Sequence, residues 1–444
     1  MGEPTIGALL RELREKAERS QSEQADELSA ILGRPVTRNE VSRWENEKRL
    51  LTPYMQQPYA DSFKVDVTVI RRAVAQAKAN RRRTRPDAEE ERDPVQRREF
   101  LGAVAGLALA GATGQPSLGA TNGVPQLAGL DQIRAALTSY TLKTPALSVA
   151  DLDTVRDLTV ETHRRYQAAD YSGAAQVLPA LIVTADGLVA QSTGDDLRAA
   201  LAVQNQVYVA TAKLVTKVGD GNLAWIAADR AATAAQRADS PILKATAAFQ
   251  LSCALLRLDN IDDAERIATD AAEGFRDDSP DGLSVRGALW LNSALIASRR
   301  SDRAASTERM RQAEQLALEL GHDGNYVWTA FGPTNVAIHQ LSAAVEIHDP
   351  RSAIARAERV DTSTMPGGLR SRRAQVHIDT AWAYTQDRTD PAVVINLMEA
   401  ERVAPEAVHY NGKVRQMLTE MLKRERKSAT PGLRELAQRC GVLL

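Results

Sequence analysis

The sequence predicts an all-α protein: a small N-terminal helical bundle, a linker, and a right-handed solenoid of helical hairpins. Three observations carry this. Of the 444 residues, 72 are alanine and only 4% are aromatic, a composition that favours closely packed helices over sheets. Apolar residues recur with the helical period from about residue 131 to the end. Polar turns interrupt that period at Asp170, Asp220, Asn260, Asp302, Asp349 and Asp390, spaced by 50, 40, 42, 47 and 41 residues. A repeat of this length is expected of stacked helix pairs, each burying its apolar face on the next.

The elements follow in chain order. Residues 1–70 show short apolar periods broken by turns. Ile6, Leu9, Leu10 and Leu13 make one face of a first helix, and Ser20 or Ser22 can cap a second with Ala25 and Leu28 turned inward. Gly33-Arg34-Pro35 breaks that helix. Thr37 can cap a third, with Glu40 completing a capping box. Val41 and Trp44 then point inward, which leaves Arg38, Asn39, Ser42 and Arg43 facing out, the layout of a helix that enters a major groove.

Residues 71–130 form a connector. Val67 to Arg85 holds seven basic residues (Arg71, Arg72, Lys78, Arg81, Arg82, Arg83, Arg85) and no acid, and Asp87 to Asp93 is acidic. The basic block is either a solvated helix end or a set of extra phosphate contacts. Residues 100–130 are small, apolar and glycine-rich. Residues 131–444 are the array of hairpins, with Pro241, Pro280 and Pro366 between pairs.

Bulk properties exclude several classes. Two cysteines, Cys253 and Cys440, cannot form a disulfide framework, and with no leader at the start the expected compartment is the cytoplasm. Cys253 reads as core, and Cys440 as a thiol that could be exposed. No apolar run of about 18 residues stands out as a bilayer span, so no membrane partner is expected. The net charge of −1 divides into +3 over residues 1–98 (20 basic, 17 acidic) and −4 over the remainder (36 basic, 40 acidic). The six histidines show no metal-ligand spacing, and there is no phosphate loop and no nucleophile elbow. The reading is therefore of a non-enzyme without metal or cofactor.

Residues Ile6 to Arg49 resemble the phage-repressor, or Xre-type, helix-turn-helix family of transcriptional regulators, in its actinobacterial form. The resemblance rests on Ser20-Gln21, on Glu40-Val41-Ser42-Arg43-Trp44-Glu45, and on Lys48-Arg49. It implies base contacts from Arg38, Asn39 and Arg43. Arginine is bidentate to guanine and asparagine to adenine, each worth about 1–3 kcal/mol of discrimination. It further implies phosphate contacts from Gln21, Ser42, Lys48 and Arg49, and a structural pair, Arg14 with Glu45, tying the first helix to the third. Two departures are the longer connection before the third helix and Glu47, where many members carry glycine.

The hairpins resemble tetratricopeptide repeats at Ala169-Asp170-Tyr171-Ser172-Gly173-Ala174 and Asp259-Asn260-Ile261-Asp262-Asp263-Ala264. Joined to a helix-turn-helix, such an array implies dimerisation, sensing of a peptide or small-molecule effector, or both. Asn205, Asn292, Asn335 and His377 precede their turns by 15, 10, 14 and 13 residues and are the candidate groove contacts. The plainer reading of each alone is an interhelix hydrogen bond, and the tryptophans Trp225, Trp290, Trp328 and Trp382 read as core. The expected function is a sequence-specific regulator binding double-stranded DNA as a homodimer. The alternatives are a protein scaffold tethered to DNA and an exported repeat protein. The last rests on Arg97-Arg98-Glu99-Phe100-Leu101 and the apolar stretch to Ala112, which look like a twin-arginine signal.

Overall fold

The computed structural model describes residues 5–32, 36–47, 51, 53–83, 127–139, 151–425 and 428–443. The side chains of Asn39, Pro53, Tyr54 and residues 78–83 are not among them. The described residues are all-α, with no strand. They fall into two compact bodies, divided between Leu118 and Gly119.

The first body contains α1 (Ile6–Lys16), α2 (Gln21–Leu32), α3 (Arg38–Glu45), α4 (Pro53–Phe63) and α5 (Val67–Arg83). Local chemistry sets the starts of the first three. Thr5 accepts the Ala8 N–H at α1. Ser20 Oγ accepts the Glu23 N–H while the Glu23 carboxylate takes the Ser20 N–H, so Ser20 rather than Ser22 is the cap. Thr37 and Glu40 form the same reciprocal box at α3. One buried cluster joins all five helices through Ile6, Leu10, Leu28, Val41, Trp44, Tyr59, Ile70 and Val74. The boundary expected at residue 70 therefore falls inside α5, whose Ile70, Val74 and Ala77 complete this core. Their spacing of four and three is one helical face, so α5 belongs to the bundle and not to the connector.

The described part of the second body begins with Leu127 and α6 (Leu130–Thr138) and runs through six hairpins. The inner members are α7 (Leu152–Gln167), α9 (Gly194–Val218), α11 (Pro241–Arg257), α13 (Pro280–Arg299), α15 (Pro333–Glu346) and α17 (Arg370–Gln386). The outer members are α8 (Tyr171–Gln191), α10 (Gly221–Arg237), α12 (Ile261–Gly274), α14 (Arg303–Leu320), α16 (Pro350–Ala357) and α18 (Asp390–Val403). Short helices α19 (Pro405–His409), α20 (Gly412–Leu422) and α21 (Leu433–Arg439) finish the chain.

The same turn joins every pair. The residue before each cap is left-handed: Ala169, Gly219, Asp259, Ser301, His348 and Arg388 have φ between 57° and 96°. The next N–H reaches back five residues to close the helix, as from Asp170 to the Arg165 C=O and from Asp302 to the Ala297 C=O, both 2.9 Å. Asp170, Asp220, Asp302 and Asp349 then accept the amide three residues on. At the sixth turn the cap is Thr389, and Asp390 is the first helical residue, paired with Arg424. Asn260 makes no side-chain cap bond. Asp302→Ala is therefore expected to cost about 1 kcal/mol and Asn260→Ala clearly less, read as the difference in their urea midpoints.

Small residues let the pairs pack closely. Ala224, Ala227, Ala228, Ala231 and Ala235 on α10 are all fully buried. The inner helices pack in succession, α7 on α9, α9 on α11, and so on to α17. The series then closes, because α17 also touches α7. Tyr171 Oη lies 3.3 Å from Ser371 Oγ, the Ser172 N–H donates to Glu406 at 2.9 Å, and Ala374, Ala404 and Ala407 share the buried cluster of Tyr171. The extended concave face expected of an open solenoid is thus replaced by a ring around a cavity.

One helix corrects the membrane reading of the sequence. Among the described residues α8 has the length and mean hydropathy (1.5) of a bilayer span. Here it packs on α6, α7 and α9, burying Ala174, Leu178, Leu181, Ile182 and Ala185.

Candidate nucleic-acid interface and ring cavity

In the first body α3 lies across α1 and α2 and is held there by a buried carboxylate. Glu45 is 3% exposed and accepts from Arg14 Nε at 2.6 Å and Nη2 at 3.0 Å, and from Gln21 Nε2 at 2.9 Å. Arg14 Nη1 donates to the Arg19 C=O at 2.8 Å. This hydrogen bond to Glu45 and its charge raise the Arg14 pKa above its ordinary value. Glu47 sits left-handed at φ 53°, and its carboxylate accepts the Gly7 N–H at 2.9 Å. A Cβ on Gly7 would run into the Glu45 C=O, so glycine there permits the close approach of α1 to the end of α3.

With Val41 and Trp44 buried, the opposite face of α3 meets solvent. Trp44 packs edge-on against Tyr59 with ring centroids 5.6 Å apart. Arg38 and Arg43 are exposed, and no ion pair among the described residues engages either. Asn39 lies between them in sequence on α3, described by its backbone alone. Ser42 is half-buried, and its hydroxyl and carbonyl both take bonds from Asn46 Nδ2. Gln21 is half-buried, and its Nε2 donates inward to Glu45. A buried carboxylate needs several donors, and two from Arg14 leave acceptor capacity that Gln21 fills. Lys48, Arg49, Gly33-Arg34-Pro35, Arg85, Arg97-Arg98 and residues 100–112 lie outside the described residues, as do the side chains of Lys78 and Arg81 to Arg83. Arg71 and Arg72 are exposed on α5.

In the second body the four polar candidates do not converge. Asn205 is fully buried and donates to the Ala231 C=O at 2.8 Å, an interhelix bond. Asn335 is 1% exposed with its side-chain oxygen unpartnered. His377 is half-buried and does not line the cavity. Asn292 alone lines it, while donating to Ser252 Oγ at 2.8 Å.

The cavity has a volume of about 340 Å³ and lies among the inner helices, the 326–330 segment and α20. That segment is folded inward with Val327, Trp328 and Ala330 all at positive φ. Trp328 stacks on His163 at 4.9 Å, and its C=O accepts from Lys213 at 2.9 Å. Gln167 and Asn325 exchange two hydrogen bonds, at 2.6 and 2.7 Å. Trp328 is thus a cavity residue, and Trp225 is 39% exposed, where a core position was expected of both. Cys253 lines the cavity, and burial pushes its thiol up to about 11. Cys440 is fully buried instead of exposed, with its thiol pushed up to about 12 by burial. Leu433, Leu436, Ala437 and Cys440 form one apolar stripe of α21 that packs it away. Among the described residues no cluster of His, Cys, Asp or Glu could hold a metal ion. Comparison with known proteins finds no matching family model, no similar curated protein and no similar solved structure.

Proposed function

We propose that the chain is a cytoplasmic, sequence-specific DNA-binding transcriptional regulator. In this reading α2 and α3 form an Xre-like helix-turn-helix, and the tetratricopeptide-like second body senses an effector, dimerises, or both. The observation that carries the reading is the exposed Arg38 and Arg43 face of α3, fixed from behind by Val41, Trp44 and the buried Arg14–Glu45 pair. Rigid presentation of arginines on a short capped helix suits major-groove readout of guanine. A twofold homodimer would read two half-sites with two copies of α3.

Selection of bound sequences from a random duplex pool, followed by titration of Arg38→Ala/Arg43→Ala, tests this. Wild type should enrich a defined, pseudo-palindromic site. The double variant should lose that preference, at about 1–3 kcal/mol per lost guanine contact, and bind with a shallower salt slope. An unchanged site preference in the variant overturns the reading, as does a pool that never enriches.

A further inference from the structure

The lining of the ring cavity is strongly unbalanced in charge. Six cations face it, Lys213, Lys217, Arg257, Arg299, Arg372 and Lys413, against two carboxylates, Glu346 and Asp379. Glu346 is consumed by Lys413 and Arg299. Burial opposes its ionisation, but those two cations outweigh it and hold its carboxyl below the ordinary value. Asp379 accepts from Ser342 and Gln375 instead of from a cation, and burial raises its pKa. Lys213, Lys217, Arg257 and Arg372 therefore have no ion-pair partner among the described residues.

Like charges crowded where burial removes water are costly; Lys213 is buried and Lys217 and Arg372 are half-buried, while Arg257 is exposed. Burial, with Arg372 adding to it, lowers Lys213 to about 7 and Lys217 to about 8. The same causes hold His339 at about 3, a neutral imidazole. Lys213 and Lys217 are successive turns of α9, Arg257 ends α11 and Arg372 opens α17, so three inner helices contribute. An unused donor is also present. Gln250 is 2% exposed, lines the cavity, and its Nε2 has no hydrogen-bond partner. The space is larger than a bare oxyanion needs, and Phe249, Leu256 and Leu295 supply apolar wall.

We propose that the interior of the ring binds one small molecule carrying a multiply charged phosphate or carboxylate group, held by Lys213, Lys217, Arg257 and Arg372, with its organic portion against Phe249. Arginine provides the bidentate fork for such oxyanions and lysine the point charge. The assignment names the ligand class for the sensing body and rests on the regulator reading only for its consequence at DNA.

The test is calorimetric titration of the full chain, without DNA, at pH 6.5 and constant chloride. Inorganic pyrophosphate is one probe and citrate the other. At least one should saturate at one site per chain, and the tighter of the two identifies phosphate or carboxylate as the preferred oxyanion. Arg372→Gln should weaken binding at least tenfold, while Arg311→Gln, at an exposed pair with Glu308, should leave it unchanged.

Wild type gives a second reading should Arg372→Gln misfold. A bound anion favours the charged lysines, so their pKa values rise in the complex. Binding near pH 7.5, once corrected for the probe's own protonation, should take up protons, and affinity should fall as pH rises through 7 to 8. Of the other groups facing the site, His339 and Cys253 stay neutral there and Glu346 stays ionised, while burial raises Asp379, so any proton it exchanges on anion binding is also taken up. No saturable binding of either probe overturns the proposal. So does binding that Arg372→Gln leaves intact, or binding in wild type without proton uptake. Arg38→Ala/Arg43→Ala should bind the probe as wild type does, so failure of the DNA reading and failure of this one give different patterns.

Discussion

Arg14→Leu is expected to unfold the first body under conditions that leave the second intact. The Glu45 side chain is 1% exposed and would keep a buried negative charge with Gln21 as its remaining close donor and the half-exposed Arg11 guanidinium only at 4.0 Å. Removing one partner of a buried pair costs about 3–5 kcal/mol, a large part of the 5–15 kcal/mol that holds a typical domain together, and more of a small one. An exposed pair would cost only about 0–1 kcal/mol, so magnitude separates the cases. Calorimetry of the full chain should show one unfolding transition moved far down and another in place, with DNA binding lost at the lower temperature. A shift of the exposed-pair size would sink the argument. Arg14→Met with Glu45→Met should recover most of the loss, since replacing both members by apolar residues removes the stranded charge. That double variant should also regain part of the proposed DNA affinity, because α3 would again be docked through its Val41 and Trp44.

What was legible in the sequence was what local chemistry decides. The Thr37–Glu40 box spans four residues and formed as read. Five of the six turn caps are the residues marked by their sequence, because each turn is closed by bonds within its own neighbourhood. The sixth turn, marked at Asp390, is capped by the residue before it, Thr389. Packing across long separations left no such trace. Tyr171 meets Ser371 across 200 residues, and nothing distinguishes Ala374, Ala404 and Ala407 from the many other alanines. The groove candidates do not converge for a related reason. An asparagine on an inner helix can satisfy a neighbouring backbone carbonyl, as Asn205 does, as readily as it can face a ligand. The better signal was the pair Lys213 and Lys217, four apart in a stretch of α9 otherwise rich in Val, Ala and Leu. Charge repeated on one face of an otherwise buried helix is costly, and so it points to a cavity.

Closure of the ring sets the second large expectation. In an open array Tyr171, at the start of the first outer helix, would lie near an end of the stack, and its loss would fray one hairpin. In the closed ring it is fully buried, packs near Tyr166 with ring centroids 5.7 Å apart, and reaches Ser371 on the last inner helix. Burial pushes its phenol well above the ordinary value, so it stays a neutral donor or acceptor at this joint. Tyr171→Ala is then a large-to-small change in a core, expected to cost about 3–5 kcal/mol, like truncation of other buried aromatics. Phe331→Ala, at a fully buried position remote in sequence from the joint, sets the scale for an ordinary core loss. The two variants should lower the urea midpoint of the second body by similar amounts, and they should differ in where they loosen it. Hydrogen exchange should rise in Tyr171→Ala along both α7–α8 and α17–α19, the two sides of the seam, with α11 to α13 still protected. Exchange raised on α7–α8 alone would mean that the ends do not hold each other. Because the seam also frames the cavity, Tyr171→Ala should weaken binding of whichever oxyanion probe the wild type takes up, while leaving the unfolding transition of the first body in place.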